Sequence, residues 1–411
     1  MTDATDARVA AQYEALPSPE RDPRDEAKRL VLGSPSDLRE VDHWVFGAAR
    51  PANRPLRALF AGGGSGDGTI MLATQAARAG RKVEIIWLDR SPAAEAIVRA
   101  RAAARGLDSI RFVRASLLDL PRLGLGRFDY IDCVGVLHHL PSPEAGLAAL
   151  ESVLAPGGGM GLMVYAPLGR LGVYPMQQAL GLLAPEGEPV RARLEIAKRV
   201  LRAMPPTNQL GLNRIVTDHT LGGDAGLFDL LLHSRDRPYT VREVLALLAG
   251  AGLQLTTWIE PRRYDPELYL NDPRLAARLA ALDAAERAQL AEWISGNMPV
   301  HILYAHRAGE APAAPEPTPD RVPVFRHPDP AAVAASVGSS GKLGVVMDGF
   351  RFEAALPPLV GAILGRIDGL RSIAAIGAGL PVPQARFEAE FRALWAAMNP
   401  LNRLLLAPPP A

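Results

Sequence analysis

The sequence predicts an α/β protein: a doubly wound, seven-stranded, mostly parallel sheet with helical insertions, followed by a small, mainly helical C-terminal domain. Three observations carry this. From Pro55 onward, short runs rich in Val, Ile and Leu alternate with helical stretches, the pattern of parallel strands joined by right-handed crossover helices. The first strand-to-helix turn, Ala61–Gly68, holds Gly62, Gly63, Gly64, Gly66 and Gly68. Residues 308–323 are rich in Pro, Ala and Glu, a linker composition, and the 324–411 stretch after them is too short to extend the sheet.

In order, residues 1–24 read as a loose polar tail, and 25–49 as a helical segment with Leu30, Leu38, Val41, Trp44, Val45 and Phe46 as its apolar positions. Together residues 1–54 form an N-terminal tail and helical lid. The sheet domain spans 55–307. Arg57–Ala61 is the first strand, and a helix follows from about Thr69 to Ala79. Lys82–Leu88 is the second strand; Ser91 then caps a helix that has Pro92 at its first position. Ile110–Arg114 and Phe128–Val134 are the third and fourth strands. Ser142-Pro143 starts another helix by the same chemistry, and Met160–Tyr165 is the fifth strand. An insertion, 166–237, interrupts the alternation. Thr240 and Glu243 form a capping box for the next helix, Leu253–Ile259 is the sixth strand, a second insertion spans 264–298, and Val300–His306 is the seventh strand. In the C-terminal domain three helical stretches lie near 356–366, 372–378 and 385–398, with Arg403–Leu406 as a closing strand.

Composition narrows the class of protein. The 411 residues carry a net charge of +1, and 48% of them are apolar. That balance gives no reason to expect nucleic acid or an anionic membrane as partner. The single cysteine, Cys133, excludes an internal disulfide framework. The first residues lack the apolar core of a signal peptide, and no run approaches the roughly 18 apolar residues of a membrane span. The expectation is a cytoplasmic protein.

The glycine turn carries the most chemistry. A ligand that packs against the backbone there meets no side chains, and the following helix aims its free amides at it. The dinucleotide fingerprint G-x-G-x-x-G fails in each register, because the last position is Asp67, Thr69 or Met71. No Gly-Lys-Ser/Thr follows, so the phosphate-binding P-loop fails too. Asp89 ends the second strand, where a carboxylate can accept both hydroxyls of a ribose; Ser91 already serves as the helix cap.

These blocks, in order, resemble the class I S-adenosylmethionine-dependent methyltransferases. The resemblance rests on Leu59–Gly66, Ile86–Asp89, Phe112–Pro121 and Phe128–Leu140, with the turn Leu154-Ala155-Pro156-Gly157-Gly158. It covers about 56–165 closely and 238–306 more loosely. It implies S-adenosyl-L-methionine as cofactor, held by Ala61, Gly62, Gly63, Gly64 and Gly66. Asp89, with Arg90 beside it, takes the ribose; Ser116 and Leu117 lie beside the adenine; Cys133, Val134 and Gly135 flank the methionine portion. The sequence departs from the family at Phe60 and Ser116, where an acid is frequent. Asp67 is the acid that would replace the first, by contacting the methionine amino group.

Methyl transfer is an in-line displacement, so the protein chiefly positions the acceptor and excludes water. A general base is needed where the acceptor has a proton to lose. His138 (preferred over its neighbour His139) and Tyr165 are the candidate catalytic residues. Tyr174, His233 and Asp236, in the first insertion, are the candidate acceptor contacts. The spacing of histidines and acids fits no compact ligand motif, so no metal is expected. The C-terminal domain weakly resembles winged-helix and peptide-chaperone modules; a packing or dimerisation role competes with that, and a homodimer is one outcome. Its second helix carries no basic residue, which disfavours DNA. The expected function is methyl transfer to a small-molecule or peptide acceptor. The alternatives are a non-catalytic cofactor-binding regulator, or a peptide-modifying methyltransferase that recruits substrate through 324–411.

Overall fold

The computed structural model describes residues 4–327, 329–337 and 340–408. Seven strands form the central sheet: β1 (Leu56–Ala61), β2 (Val83–Asp89), β3 (Ile110–Arg114), β4 (Phe128–Val134), β5 (Leu154–Tyr165), β6 (Leu253–Trp258) and β7 (Val300–Arg307). Their order is β3-β2-β1-β4-β5-β7-β6. β1 to β5 pair in parallel, and β7 lies antiparallel between β5 and β6. Central strands are buried on both faces, which is why Ile85–Leu88 reads as an unbroken apolar run. The helix starts are those the sequence marks. Ser91 and Ser142 accept from the amides of Ala94 and Ala145, and Thr240 and Glu243 form the reciprocal capping box.

The N-terminal region differs from the expected single helix over 25–49. Pro35 and the cap Asp37, whose side chain accepts from the Arg39 amide, interrupt it. Short helical turns form instead, at Pro23–Ala27, Leu38–Glu40 and Val41–Val45. Val41, Trp44 and Val45 bury against Phe60, Tyr130 and Tyr304 on one face of the sheet. Of the tail expected to be loose, residues 1–3 lie outside the described residues. The rest is a helix, Ala4–Ala15, continued by a strap across the carboxyl ends of the strands.

The first insertion is helical, with Val173–Leu183, Val190–Ala203 and Gly223–Leu231 around their own core. The C-terminal region has the three expected helical stretches, as Val360–Leu364, Ile373–Ala378 and Gln384–Met398. It also has strands: β8 (Pro323–Phe325) pairs with β11 (Leu404–Leu406), and β9 (Lys342–Met347) forms a hairpin with β10 (Phe350–Ala355). It is docked as well as tethered. Trp44 Nε1 donates to Asn402 Oδ1 at 2.9 Å, the Leu406 amide donates to His43 Nδ1 at 3.1 Å, and Leu405 packs into the core beside Tyr304.

Candidate active site

The strand order reverses between β1 and β4, which places a crevice at their carboxyl ends. A cavity of about 760 Å³ occupies it, within the roughly 300–1,000 Å³ of small-molecule sites. Its floor is the glycine turn. Gly62 holds φ +74°, and a Cβ there would stand 2.4 Å from Val136; Gly66 holds φ +89°, with Val98 2.7 Å from such a Cβ. Both positions therefore exclude side chains. The helix Asp67–Arg78 starts at Gly66 without a side-chain cap, which leaves its first amides for a ligand.

A buried ion network fixes the turn from below. Arg101, 1% exposed, donates to the Ser65 carbonyl at 2.6 Å, to Asp67 at 2.8 Å and to Glu26 at 2.6 Å. Arg21, on the N-terminal strap, clamps the same Asp67 at 2.6 Å. Burial pushes the Asp67 carboxyl up, but the two arginines outweigh it and hold the group below its ordinary value. Asp67 lines the cavity with its charge already paired. Asp89 sits opposite: its carboxylate accepts from the Gly64 amide at 2.9 Å and the Ser91 amide at 3.0 Å. These bonds fix its orientation and leave lone pairs toward the cavity.

Of the residues expected at the cofactor, Gly62, Gly63, Gly64, Gly66, Asp67, Asp89, Arg90, Ser116, Leu117, Val134 and Gly135 line this cavity. Ala61 and Cys133 do not; both turn into the core. Strand alternation explains Cys133: Asp132 and Val134 share one face and Cys133 points to the other. These groups fit an adenosyl amino-acid ligand: a backbone cradle that a Cβ would fill, a carboxylate fixed at the end of β2, and apolar walls beyond.

The far end of the cavity is polar. Tyr13, His139, Tyr165 and Asp229 line it. Tyr13 donates to Asp229 Oδ1 at 2.9 Å and Tyr165 to Oδ2 at 3.4 Å. Burial raises the Asp229 carboxyl above its ordinary value, with His139, the Tyr13 hydrogen bond and Arg170 opposing the rise. The Arg170 guanidinium lies 3.6 Å from the Tyr165 ring centroid and holds that ring in place.

The expected catalytic and acceptor residues divide here. Tyr165 faces the cavity. His138 stands behind it, ring centroids 4.0 Å apart, with both ring nitrogens buried and unpartnered among the described residues. Burial drives its pKa well below the ordinary value, so the ring is neutral. His139, the neighbour that the sequence reading ranked second, is the one that lines the cavity. His233 stacks on His139 at 3.8 Å and lies 3.3 Å from the Tyr13 hydroxyl. Asp236 accepts from Gln177 at 3.0 Å, and Tyr174 from Arg170 at 3.1 Å. His233, Asp236 and Tyr174 support the walls and do not line the cavity. No local sequence pattern marks Tyr13 or Asp229: Asp229 lies on the helix Gly223–Leu231, and His233 lies past the end of that helix.

His139, Asp229 and His233 bring ligand-type atoms within 4.8 Å of one another. As arranged they suit hydrogen bonds better than a cation. His233 Nδ1 accepts the Arg235 amide at 3.0 Å, so in the neutral ring Nε2 carries the proton and has no lone pair to give.

A methyltransferase-domain family model matches residues 59–160. An uncharacterised protein of Synechococcus, syc1184_c, is 32% identical over 304 residues, 71% of this chain and 69% of that protein. The demethylmenaquinone methyltransferase of Thermus thermophilus is 34% identical over 145 residues, which cover 35% of this chain and 62% of that one. Among solved structures, PKMT2 from Rickettsia typhi in complex with AdoHcy shares the fold, with a TM-score of 0.61 at 12% identity over 89% of this chain and 75% of that one.

Proposed function

The chain belongs to the class I S-adenosylmethionine-dependent methyltransferase family, and from that premise we propose that it methylates a small-molecule or peptide acceptor seated between Tyr165 and Asp229. One observation carries the reading. A single cavity runs from the glycine turn and Asp89 to Tyr165 and Asp229, so the cofactor's methyl group and an acceptor share one enclosure. A regulator that had lost transfer would have that far end filled, for example by Tyr174, whose hydroxyl instead meets Arg170.

When bound, the cofactor supplies a methyl group activated by its sulfonium. The glycine turn, Asp89 and the Ser116–Leu117 segment orient its adenosyl portion. Tyr165 and His139 form the wall on the acceptor side. The strap carrying Tyr13 closes the site from solvent, which strengthens polar contacts inside. Asp229 takes the proton that the acceptor loses; burial makes it a stronger base than an ordinary carboxylate.

The test is incubation of the full chain with methyl-labelled S-adenosylmethionine and a cell extract, then separation of the labelled product by size. Label in a small-molecule or peptide fraction, lost in Asp229→Asn, supports the proposal. Cofactor binding with no transfer to any fraction favours the regulatory reading.

A further inference from the structure

Asp132 poses a problem that the site as described does not solve. It lies on β4, 6% exposed, and faces the cavity. Its register partner on β1 is Phe60, two residues before Gly62. Both contacts that the protein makes to its carboxylate fall on one oxygen: Ser36 Oγ and, at 3.3 Å, Tyr130 Oη donate to Oδ2. Oδ1 has no partner among the described residues. The groups that face it from the neighbouring elements are Tyr130 on its own strand and, through the Pro35 carbonyl, Tyr304 and Glu40. None is a cation, and Arg326 beyond them is held by Glu40. A buried carboxylate with one bare oxygen is costly unless a cation pairs with it or it takes up a proton.

The cofactor brings such a cation. Resting on the cofactor assignment above, we propose that Asp132 pairs with the α-ammonium group of the amino-acid portion of S-adenosylmethionine. The competing acids are committed. Asp67 is clamped by two arginines, Asp89 is fixed at the opposite side of the turn by two amides, and Asp229 is bonded to tyrosines at the far end. The amides of the glycine turn are donors and cannot accept from an ammonium. Of its carbonyls, those of Gly63, Gly64 and Ser65 already accept from the Gly66 amide, Trp87 Nε1 and Arg101, and a neutral carbonyl bonds an ammonium less strongly than a carboxylate does. Asp132 thus supplies from β4 the carboxylate that Phe60 cannot supply from β1, and Asp67 is released from the part expected of it.

The pairing carries a proton signature. Burial, partly offset by the Ser36 and Tyr130 donors, pushes the Asp132 carboxyl up to about 7. A cation at Oδ1 favours the ionised form. Ligand binding at pH 7 should therefore expel about half a proton per site, and affinity should rise between pH 6 and 8. Glu40, also pushed up to about 7 by burial, is the group to control for.

The experiment compares two probes on the full chain by calorimetry. S-adenosylhomocysteine carries the amino-acid group; 5′-methylthioadenosine has the same adenosine and thioether without it. Asp132→Asn is expected to weaken the first at least tenfold and leave the second within twofold. In wild type, titrations in buffers of different ionisation heat should show proton release with the first probe only, and the release should persist in Glu40→Gln. Equal losses on both probes, no loss on either, or release abolished by Glu40→Gln would overturn the proposal. A wild-type protein that binds neither probe would sink the cofactor assignment itself.

Discussion

Asp229 is the residue on which the proposed chemistry turns, and its position was hidden in the sequence. It reaches the cavity from the first insertion, and its partner Tyr13 comes from the N-terminal helix, 216 residues away. No local pattern encodes such a meeting. The cofactor half was legible for the opposite reason. Glycine at Gly62 and Gly66 is a backbone requirement, and Asp89 follows from strand length, so both are written locally. Asp229→Asn should lower kcat by about 10²–10⁴-fold and leave S-adenosylhomocysteine affinity near wild type, as stopped assays and calorimetry would read. Its sign with pH is fixed. Burial raises the carboxyl and only the ionised form takes a proton, so activity falls on acidification through an apparent pKa above the usual carboxylate range. An acid limb at an ordinary carboxylate value would point to a solvated base instead.

At the scale of elements, the alternation of strand and helix was readable because strands buried on two faces are short apolar runs and the helix caps are Ser, Thr and Pro in fixed positions. The hairpin β9–β10 also has a local signal in the sequence. Met347-Asp348-Gly349-Phe350 turns on Asp348 at φ +42° and Gly349 at φ +82°, the Asp-Gly pair that two-residue hairpins favour. The helix expected over 25–49 does not form, because Pro35 and the Asp37 cap break the chain where the apolar spacing continues. Two elements make predictions. Gly62→Ala forces a side chain onto φ +74° and into Val136, so it should lower the thermal midpoint and abolish detectable cofactor binding. Arg101→Leu removes one of the two arginines on Glu26, leaving Arg105, and removes the bond to the Ser65 carbonyl. Because Glu26 keeps Arg105 and Asp67 keeps Arg21, the loss should fall below the roughly 3–5 kcal/mol of a buried pair broken outright, and denaturant melts would show it.

The whole molecule is organised around access to the cavity. The strap from Ala4 to Arg21 covers it, pinned by Tyr13 to Asp229, Glu14 to Ser91 at 2.9 Å and Arg21 to Asp67. Removing residues 1–21 should accelerate release of bound S-adenosylhomocysteine about tenfold or more in stopped-flow displacement, since three anchors and the cover go together. The C-terminal region is a different matter. Its docking through Asn402, Leu405 and Leu406 means that deleting 324–411 strips partners from Trp44 and His43. Lost turnover in that deletion would not by itself show substrate recruitment. Among the described residues no helix is long and apolar enough to cross a membrane.

The most direct test of the central claim, that the crevice between β1 and β4 is an S-adenosylmethionine site, is titration of S-adenosylhomocysteine into wild type and Asp89→Ala. The expected result is saturable one-site binding that weakens at least tenfold in the variant. Equal affinity in both, or NAD bound in place of S-adenosylhomocysteine, would contradict it.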